Sequence, residues 1–249
     1  MKLIKHSKVS SVNTDPMANL SVTGIFEIVE EAVTELMGEL KIDGITSKRE
    51  YNAVWVFAKS RIRLLKNIAW NEEYSVVSFI SKVSHAALYI DIGIKNKSDE
   101  LCAYSRAEVC ALDTDTGKLR KVSTVGVDDS IEAETPIADI SFSKYNINDL
   151  PDIEKVRIRY TCIDYAGHTN NKEYIRFMLN TYSVKELESR PIREMEVVFL
   201  NQSYENDILT VRKKCCADKD ILVLQKDGKV IVKSEIVRSK EALFPNKTL

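Results

Sequence analysis

The chain has 249 residues, 29% of them charged, and its 37 acidic against 36 basic side chains leave a formal net charge of −1. This length suits one large domain or two small ones, with enough chain to bury a sizeable core. The balanced charge removes the electrostatic case for nonspecific nucleic-acid binding, and the lack of any run of about 18 apolar residues argues against a membrane-spanning helix.

The opening MKLIKHSKVSSV has no long apolar stretch and does not read as a signal peptide. A short strand is expected there, ending at the turn signal NTDPMAN. Ile25, Ile28, Val29, Ala32, Val33 and Leu36 then recur at helical spacing, which predicts a helix over about residues 20–39. Alternating, β-branched-rich stretches predict strands near 52–66, 73–82, 85–96 and 101–113, separated by NEE, NKSDE and DTDTGK. Trp55, in the alternating run AVWVFA, and Trp70 read as packing residues, and His6 and His85 as ordinary surface or core positions. From about 128 to 150 the chain becomes acidic and loses its period, with Pro136 inside the span and Pro151 just past it, which reads as a linker.

The second half repeats the order of the first. A strand over IEKVRIRYTCI leads into DYAGHTNNKEYIRF, followed by a helix over about 171–188 and strands near 193–204, 207–216, 219–226 and 229–238. NTDPMANLSVTGIFEI can be laid over CIDYAGHTNNKEYIRF, so that Asp15 falls on Asp164, Ala18 on Gly167, Asn19 on His168, Ile25 on Tyr174 and Ile28 on Phe177. Further on, EEYSV resembles DILTV. A helix followed by a run of strands favours an α+β class, with an antiparallel sheet wrapped around one long helix in each half. The expected division is a first domain over 1–128, a linker over 129–150 and a second domain over 151–249. Cys102, Cys110, Cys162, Cys215 and Cys216 are an odd set with no CxxC pair, and four of them lie in strand-like patterns. Reduced, structural thiols in a cytoplasmic protein are expected, and no metal site.

DYAGHTNNKEYIRF carries the chemistry. In one reading it is an ordinary helix entry, with Thr169 or Asn170 as the N-cap, Glu173 in the first turn and Gly167 easing the bend. In the other, a helix N-terminus offers amides to an oxyanion, Gly167 admits a substrate carbonyl, and Asp164 and His168 supply a carboxylate and an imidazole. Those groups activate water and protonate a leaving group. GxSxG does not occur, so no serine nucleophile is indicated.

The stretch D-Y-A-G-H-T-N-N-K-E-Y-I, the repeated helix-and-strand order and the linker resemble the acyl-ACP thioesterase family over nearly the whole chain. NAVWVFAKSRIRLLKNIAWNEEYSVVSFI and LCAYSRAEVCALDTDTGKLRKV resemble its first domain. The resemblance implies two tandem hotdog domains and hydrolysis of the thioester between a fatty acyl chain and acyl carrier protein, in fatty acid biosynthesis and without a cofactor. The family's turn reads Asp-x-Asn-x-His-Val-Asn-Asn, followed on a later strand by an acidic residue. Asp164, His168, Asn170, Asn171 and Tyr174 match it. Ala166 stands where the family has Asn, and Gln202 falls at or next to the acidic position, with Ser203 as the competing alignment.

The resemblance therefore implies Asp164, His168 and Gln202 as catalytic residues, with Gly167, Asn170 and Asn171 at the substrate. A glutamine amide orients water but takes no proton at neutral pH, so the base is Asp164 or His168. The first half, with Asn19 in place of His168, is expected to shape the acyl tunnel, where each buried methylene contributes roughly 0.8 kcal/mol. Acyl carrier protein is acidic, so docking falls to basic residues. Lys155, Arg157 and Arg159 alternate along one strand face, Lys172 and Arg176 lie on the helix, and Arg212, Lys213 and Lys214 form another cluster. Three other functions stay open at this level: an acyl-CoA thioesterase, a noncatalytic acyl or acyl-carrier binding protein, and a dehydratase of the same fold. The chain is expected as a monomer or a homodimer.

Overall fold

The computed structural model describes residues 1–127, 131–216 and 218–239. The chain divides into two compact units, Met1–Ser141 and Phe142–Leu249. The boundary expected at 128/129 lies outside the described residues.

The first unit opens with β1 (Lys2–Lys8), a single 3-10 turn and helix α1 (Val22–Glu39), then a short helix α2 (Gly44–Tyr51). Strands β2 (Ala53–Leu64), β3 (Glu73–Val83), β4 (Ala87–Asn96) and β5 (Leu101–Asp113) follow. They form an antiparallel sheet in the order β1-β3-β4-β5-β2. Ser21 caps α1 by accepting from the Gly24 amide, and α1 lies on β3, β4 and β5. Its stripe Ile25, Phe26, Val29, Ala32, Val33, Leu36 and Met37 is buried there, while Ile28 is only half-buried. Register shifts in β2, β3 and β4 are the bulges that let such a sheet bend around a helix. Trp55 packs beside Ala53, Ala111 and Val125, and its indole N–H donates to Ser47 Oγ at 2.9 Å. Trp70, expected in packing, is instead 57% exposed, on the turn that follows β2.

The second unit contains β6 (Asp152–Arg157), a 3-10 turn over Tyr160–Cys162, helices α3 (Asn171–Leu179) and α4 (Val184–Ser189), and strands β7 (Ile192–Phe199), β8 (Ile208–Cys215), β9 (Lys219–Lys226) and β10 (Lys229–Arg238). Its antiparallel order is β7-β10-β9-β8-β6, and α3 lies on β9.

Three expected spans are corrected. The helix over 171–188 is two helices, because Asn180 ends α3 and Ser183 starts α4 with a full capping box to Glu186. The strand over 153–163 stops at Arg157, since Cys162 and Ile163 turn back to donate to the carbonyls of Arg159 and Tyr160. The strand over 193–204 stops at Phe199, where Leu200 and Asn201 both donate to the Ile231 carbonyl and pairing ends. Gln202, expected on that strand, therefore lies in the loop beyond it.

The acidic stretch before β6 is fastened at both ends. Asp91, fully buried, accepts from Arg106 Nε at 2.7 Å, Ser81 Oγ at 2.7 Å and the Ile137 amide at 3.0 Å. Arg106 then donates to the carbonyls of Ala138 and Ile140, and Arg61 to that of Ser141. In the second unit the Ser143 amide donates to Glu196 at 2.8 Å, and Leu150 packs with Ile221 and Val223.

Candidate active site

The local structure of DYAGHTNN follows from one side chain. Asp164 Oδ1 accepts from the amides of Ala166 at 2.8 Å and His168 at 3.3 Å. The Asp164 amide donates to the His168 carbonyl, and the Gly167 amide to the Asp164 carbonyl. This is the Asx-type turn expected of an aspartate. Gly167 adopts φ +81°, and a Cβ there would meet nothing within 4 Å. Backbone conformation, not a close approach, is what calls for glycine here.

The first unit builds the same turn. Asp15 Oδ1 accepts from Met17 and Asn19, the Asp15 amide donates to the Asn19 carbonyl, and Ala18 takes φ +57° where the second unit has Gly167. Ser21 donates to the Asn13 carbonyl as Asn170 does to that of Cys162, and Leu20 donates to Ile68 as Thr169 does to Ser203. The turn is thus a property of the fold in both units, and it places Asn19 in one and His168 in the other.

Of the two N-cap candidates, Asn170 is the cap: its Oδ1 accepts from the Lys172 amide at 3.0 Å. Thr169 is buried instead, and its hydroxyl lies 2.8 Å from Ser203 Oγ, which lies 2.9 Å from the Tyr174 hydroxyl. The Ser203 amide also donates to that phenol at 3.0 Å. Burial first, and the Asp164 charge in addition, push the Tyr174 phenol above its usual range. This hydroxyl network pins the loop after β7 to the start of α3. In the first unit the equivalent positions are Leu20, Ile68 and Ile25, all buried and apolar.

The network separates the two alignments for the acidic position. Ser203 is fully buried and committed to it, whereas Gln202 is exposed. Tyr204, on the other side of Ser203, puts its ring edge-on to the His168 imidazole, with centroids 5.3 Å apart. Its hydroxyl lies 3.5 Å from Gln202 Oε1, a long hydrogen bond. Tyr204 thus touches both His168, through its ring, and Gln202, through its hydroxyl. Asp164 and His168 are half-buried. Asn171, also half-buried, is the first residue of α3.

The expectation that turn amides receive an oxyanion does not hold for most of them. Those of Ala166, Gly167, His168, Thr169, Asn170, Lys172 and Glu173 all donate to protein acceptors. Tyr204 has no role in the sequence pattern, and the hydroxyl network of Thr169 and Ser203 is not foreseen by it. Extending the overlay upstream of EEYSV and DILTV sets Ile68 against Ser203 and Ala69 against Tyr204, and the change from apolar to hydroxyl was the available signal.

The basic candidates divide. Lys155, Arg157 and Arg159 are exposed, while Val156 is half-buried and Ile158 fully buried between them. Arg159 lies past the end of β6, but its backbone stays extended (φ −117°, ψ 168°), so all three share one face. On α3, Lys172 is half-buried and Arg176 pairs with Glu173 at 3.1 Å. Arg212, Lys213 and Lys214 do not form a patch. Arg212 bonds Asp152, Gln225 and the Leu150 carbonyl, and Lys213 is buried with its Nζ 3.2 Å from the centre of the Tyr182 ring.

Two family models match the chain: the acyl-ACP thioesterase N-terminal domain over residues 2–129 and the acyl-ACP thioesterase C-terminal domain over residues 146–240. The chain belongs to the acyl-ACP thioesterase family. With membership goes the class of reaction, hydrolysis of a fatty acyl-ACP thioester. Solved structures agree on the fold. An acyl-ACP thioesterase from Bacteroides thetaiotaomicron matches with a TM-score of 0.89 at 17% identity, covering 96% of this chain and 98% of that one. The 12:0-ACP thioesterase from Umbellularia californica matches with a TM-score of 0.79 at 14% identity, covering 95% and 96%. The fold is the double hotdog of this acyl-ACP thioesterase family. No curated protein matches the chain in sequence. No helix among the described residues is long and apolar enough to cross a membrane.

Proposed function

We propose that acyl-ACP hydrolysis runs at the second-unit turn, with His168 as the acid–base residue, Gln202 as a neutral hydrogen-bond donor and Asp164 as the residue that shapes the turn. The observation that carries this is a histidine, His168, set edge-on to Tyr204 at a turn whose counterpart in the first unit holds Asn19. An amide cannot take the proton that a general base must take. Asp164 Oδ1 is committed to its own turn, as Asp15 Oδ1 is in a unit without a histidine. His168 remains as the acid–base group of the turn, half-buried beside Tyr204.

Water attacks the thioester carbonyl carbon while His168 takes one of its protons. The carbonyl oxygen becomes an oxyanion. With the neighbouring turn amides committed, the Gln202 and Asn170 side-chain amides are its donors. Collapse breaks the C–S bond, and the imidazolium returns the proton to the leaving thiolate. Asn171 contacts the acyl-bearing arm, and Gly167 keeps the turn low beside it. The first unit, lacking a histidine at Asn19, takes the acyl chain. Lys155, Arg157 and Arg159 face the acidic carrier, with Lys172 and Arg176 contributing less, and the chain works in the cytoplasm as a monomer or homodimer.

The test is thiol release from acyl-ACP beside acyl-CoA of the same chain length. Turnover of acyl-ACP with the lower KM supports this assignment. Equal use of both carriers assigns a general acyl thioesterase. Binding of acyl-ACP without turnover makes the chain a binding protein, as Ala166 and Gln202 in place of the family's polar pair would then explain.

A further inference from the structure

The two units offer an internal control for each residue near His168. The backbone that carries Tyr204 is not special to the second unit. The Tyr204 amide donates to Asp207 Oδ2 at 2.9 Å, and the Asp207 amide returns to the Tyr204 carbonyl at 3.1 Å. In the first unit the Ala69 amide donates to Glu72 Oε2 at 3.0 Å, and the Glu72 amide returns to the Ala69 carbonyl at 3.1 Å. Asn71 and Asn206, within these two loops, share the same left-handed φ, +71° and +69°. Val9 donates to the Glu72 carbonyl as Ile158 does to that of Asp207. The loops are therefore equivalent residue for residue. Asn19 bridges to Ala69 in the first unit, and His168 stands against Tyr204 in the second.

Folding of this loop does not require an aromatic ring, since alanine serves at Ala69. The ring occurs in the unit that has the imidazole. It is half exposed, at 49%, so it adds little to the core. Its place is fixed instead by the turn to Asp207, itself held by Lys226 at 2.7 Å, and by the buried Ser203 beside it. A half-buried imidazole on an exposed turn has two rotatable bonds, and an edge-to-face ring restricts them.

We propose that Tyr204 is a positioning residue, holding the His168 ring in one orientation against the thioester by edge-to-face contact. The proposal rests on the reading of His168 as the acid–base residue. Two variants test it. Tyr204→Ala installs the side chain that the first unit carries on the same backbone, so the fold is kept. Tyr204→Phe keeps the ring and removes the hydroxyl.

Steady-state kinetics on acyl-ACP would be measured alongside NMR of the His168 imidazole, with a denaturation midpoint for each variant. The expected result for Tyr204→Ala is a fall in kcat of about tenfold, the size an aromatic pair supports. KM and the denaturation midpoint stay unchanged. The imidazole Cε1–H signal moves to the position of a ring averaging over rotamers. Tyr204→Phe keeps wild-type kcat and the wild-type imidazole signal. An unchanged kcat in Tyr204→Ala overturns the proposal, as does a rise in KM alone, which would make Tyr204 a substrate contact. Equal losses in both variants overturn it too, since the hydroxyl would then be the working group. A lowered midpoint in Tyr204→Ala would make the ring a structural element. If the wild type proves inactive, the catalytic reading fails, while the NMR comparison still decides whether Tyr204 orders the imidazole.

Discussion

Gly167 and Ala18 occupy one point of one turn, with φ values of +81° and +57°. A non-glycine residue in this left-handed region costs about 1–2 kcal/mol. Gly167→Ala should therefore lower the denaturation free energy by about 1 kcal/mol, with no steric penalty, because the space around it is open. Asp15 tests the turn from the other side. Burial holds its carboxyl above the usual carboxylate range, against the opposing backbone hydrogen bonds from Asn19 and Met17. The folded chain thus binds this proton more tightly than the unfolded chain. The associated stability is fully present below the unfolded carboxylate pKa of about 3.9 and is lost as pH rises through the folded value. Asp15→Asn keeps the acceptor and removes the buried charge. Urea titrations should show Asp15→Asn more stable than wild type at pH 7, with the difference shrinking in acid. Ser203→Ala belongs to the same scale. It removes the Oγ between the Tyr174 and Thr169 hydroxyls, which then keep only the backbone of residue 203, a loss of about 1–3 kcal/mol, and it loosens the loop that carries Gln202 and Tyr204.

At the scale of elements, regular spacing was legible and local interruptions were not. The α1 stripe and the strands of both units follow their apolar periods closely, because burial on one face imposes the period. Helix α2 has one buried residue, Ser47, so it leaves no stripe to read. The break between α3 and α4 was written as Ser183 followed by Glu186, but Leu179, Tyr182 and Leu187 keep the helical spacing going across it. Tyr182 marks the break physically: its hydroxyl donates to buried Asp220 at 2.8 Å. Ser183→Ala should cost about 1 kcal/mol through loss of the cap, seen as a lower midpoint with α3 and turnover unaffected. Asp164, His168 and Asn170 were legible because one turn holds them in sequence. Tyr204 was not, since its partner comes from another element and only the comparison of Ala69 with Tyr204 marks it.

At the scale of the molecule, one plan is used twice, and the proposed assignment gives it chemistry once. Leu20, Ile25 and Ile68 show that the junction between turn and loop is stable when apolar, so folding of this junction does not by itself require the hydroxyls of Thr169, Tyr174 and Ser203. The segment around residues 137–141 is part of the first unit through Asp91 and Arg106. Asp91→Ala would leave the Arg106 charge without its partner and should cost about 3–5 kcal/mol in that unit. Carrier choice is also a property at this scale: Lys155→Glu with Arg157→Glu should raise KM for acyl-ACP severalfold and leave acyl-CoA unchanged. The most direct measurement of the central claim is acyl-ACP hydrolysis by His168→Asn, which installs the residue that Asn19 supplies on the same backbone. A folded protein with turnover reduced by about a hundredfold or more is the predicted result, the scale of general acid–base catalysis. Turnover equal to wild type would contradict the account.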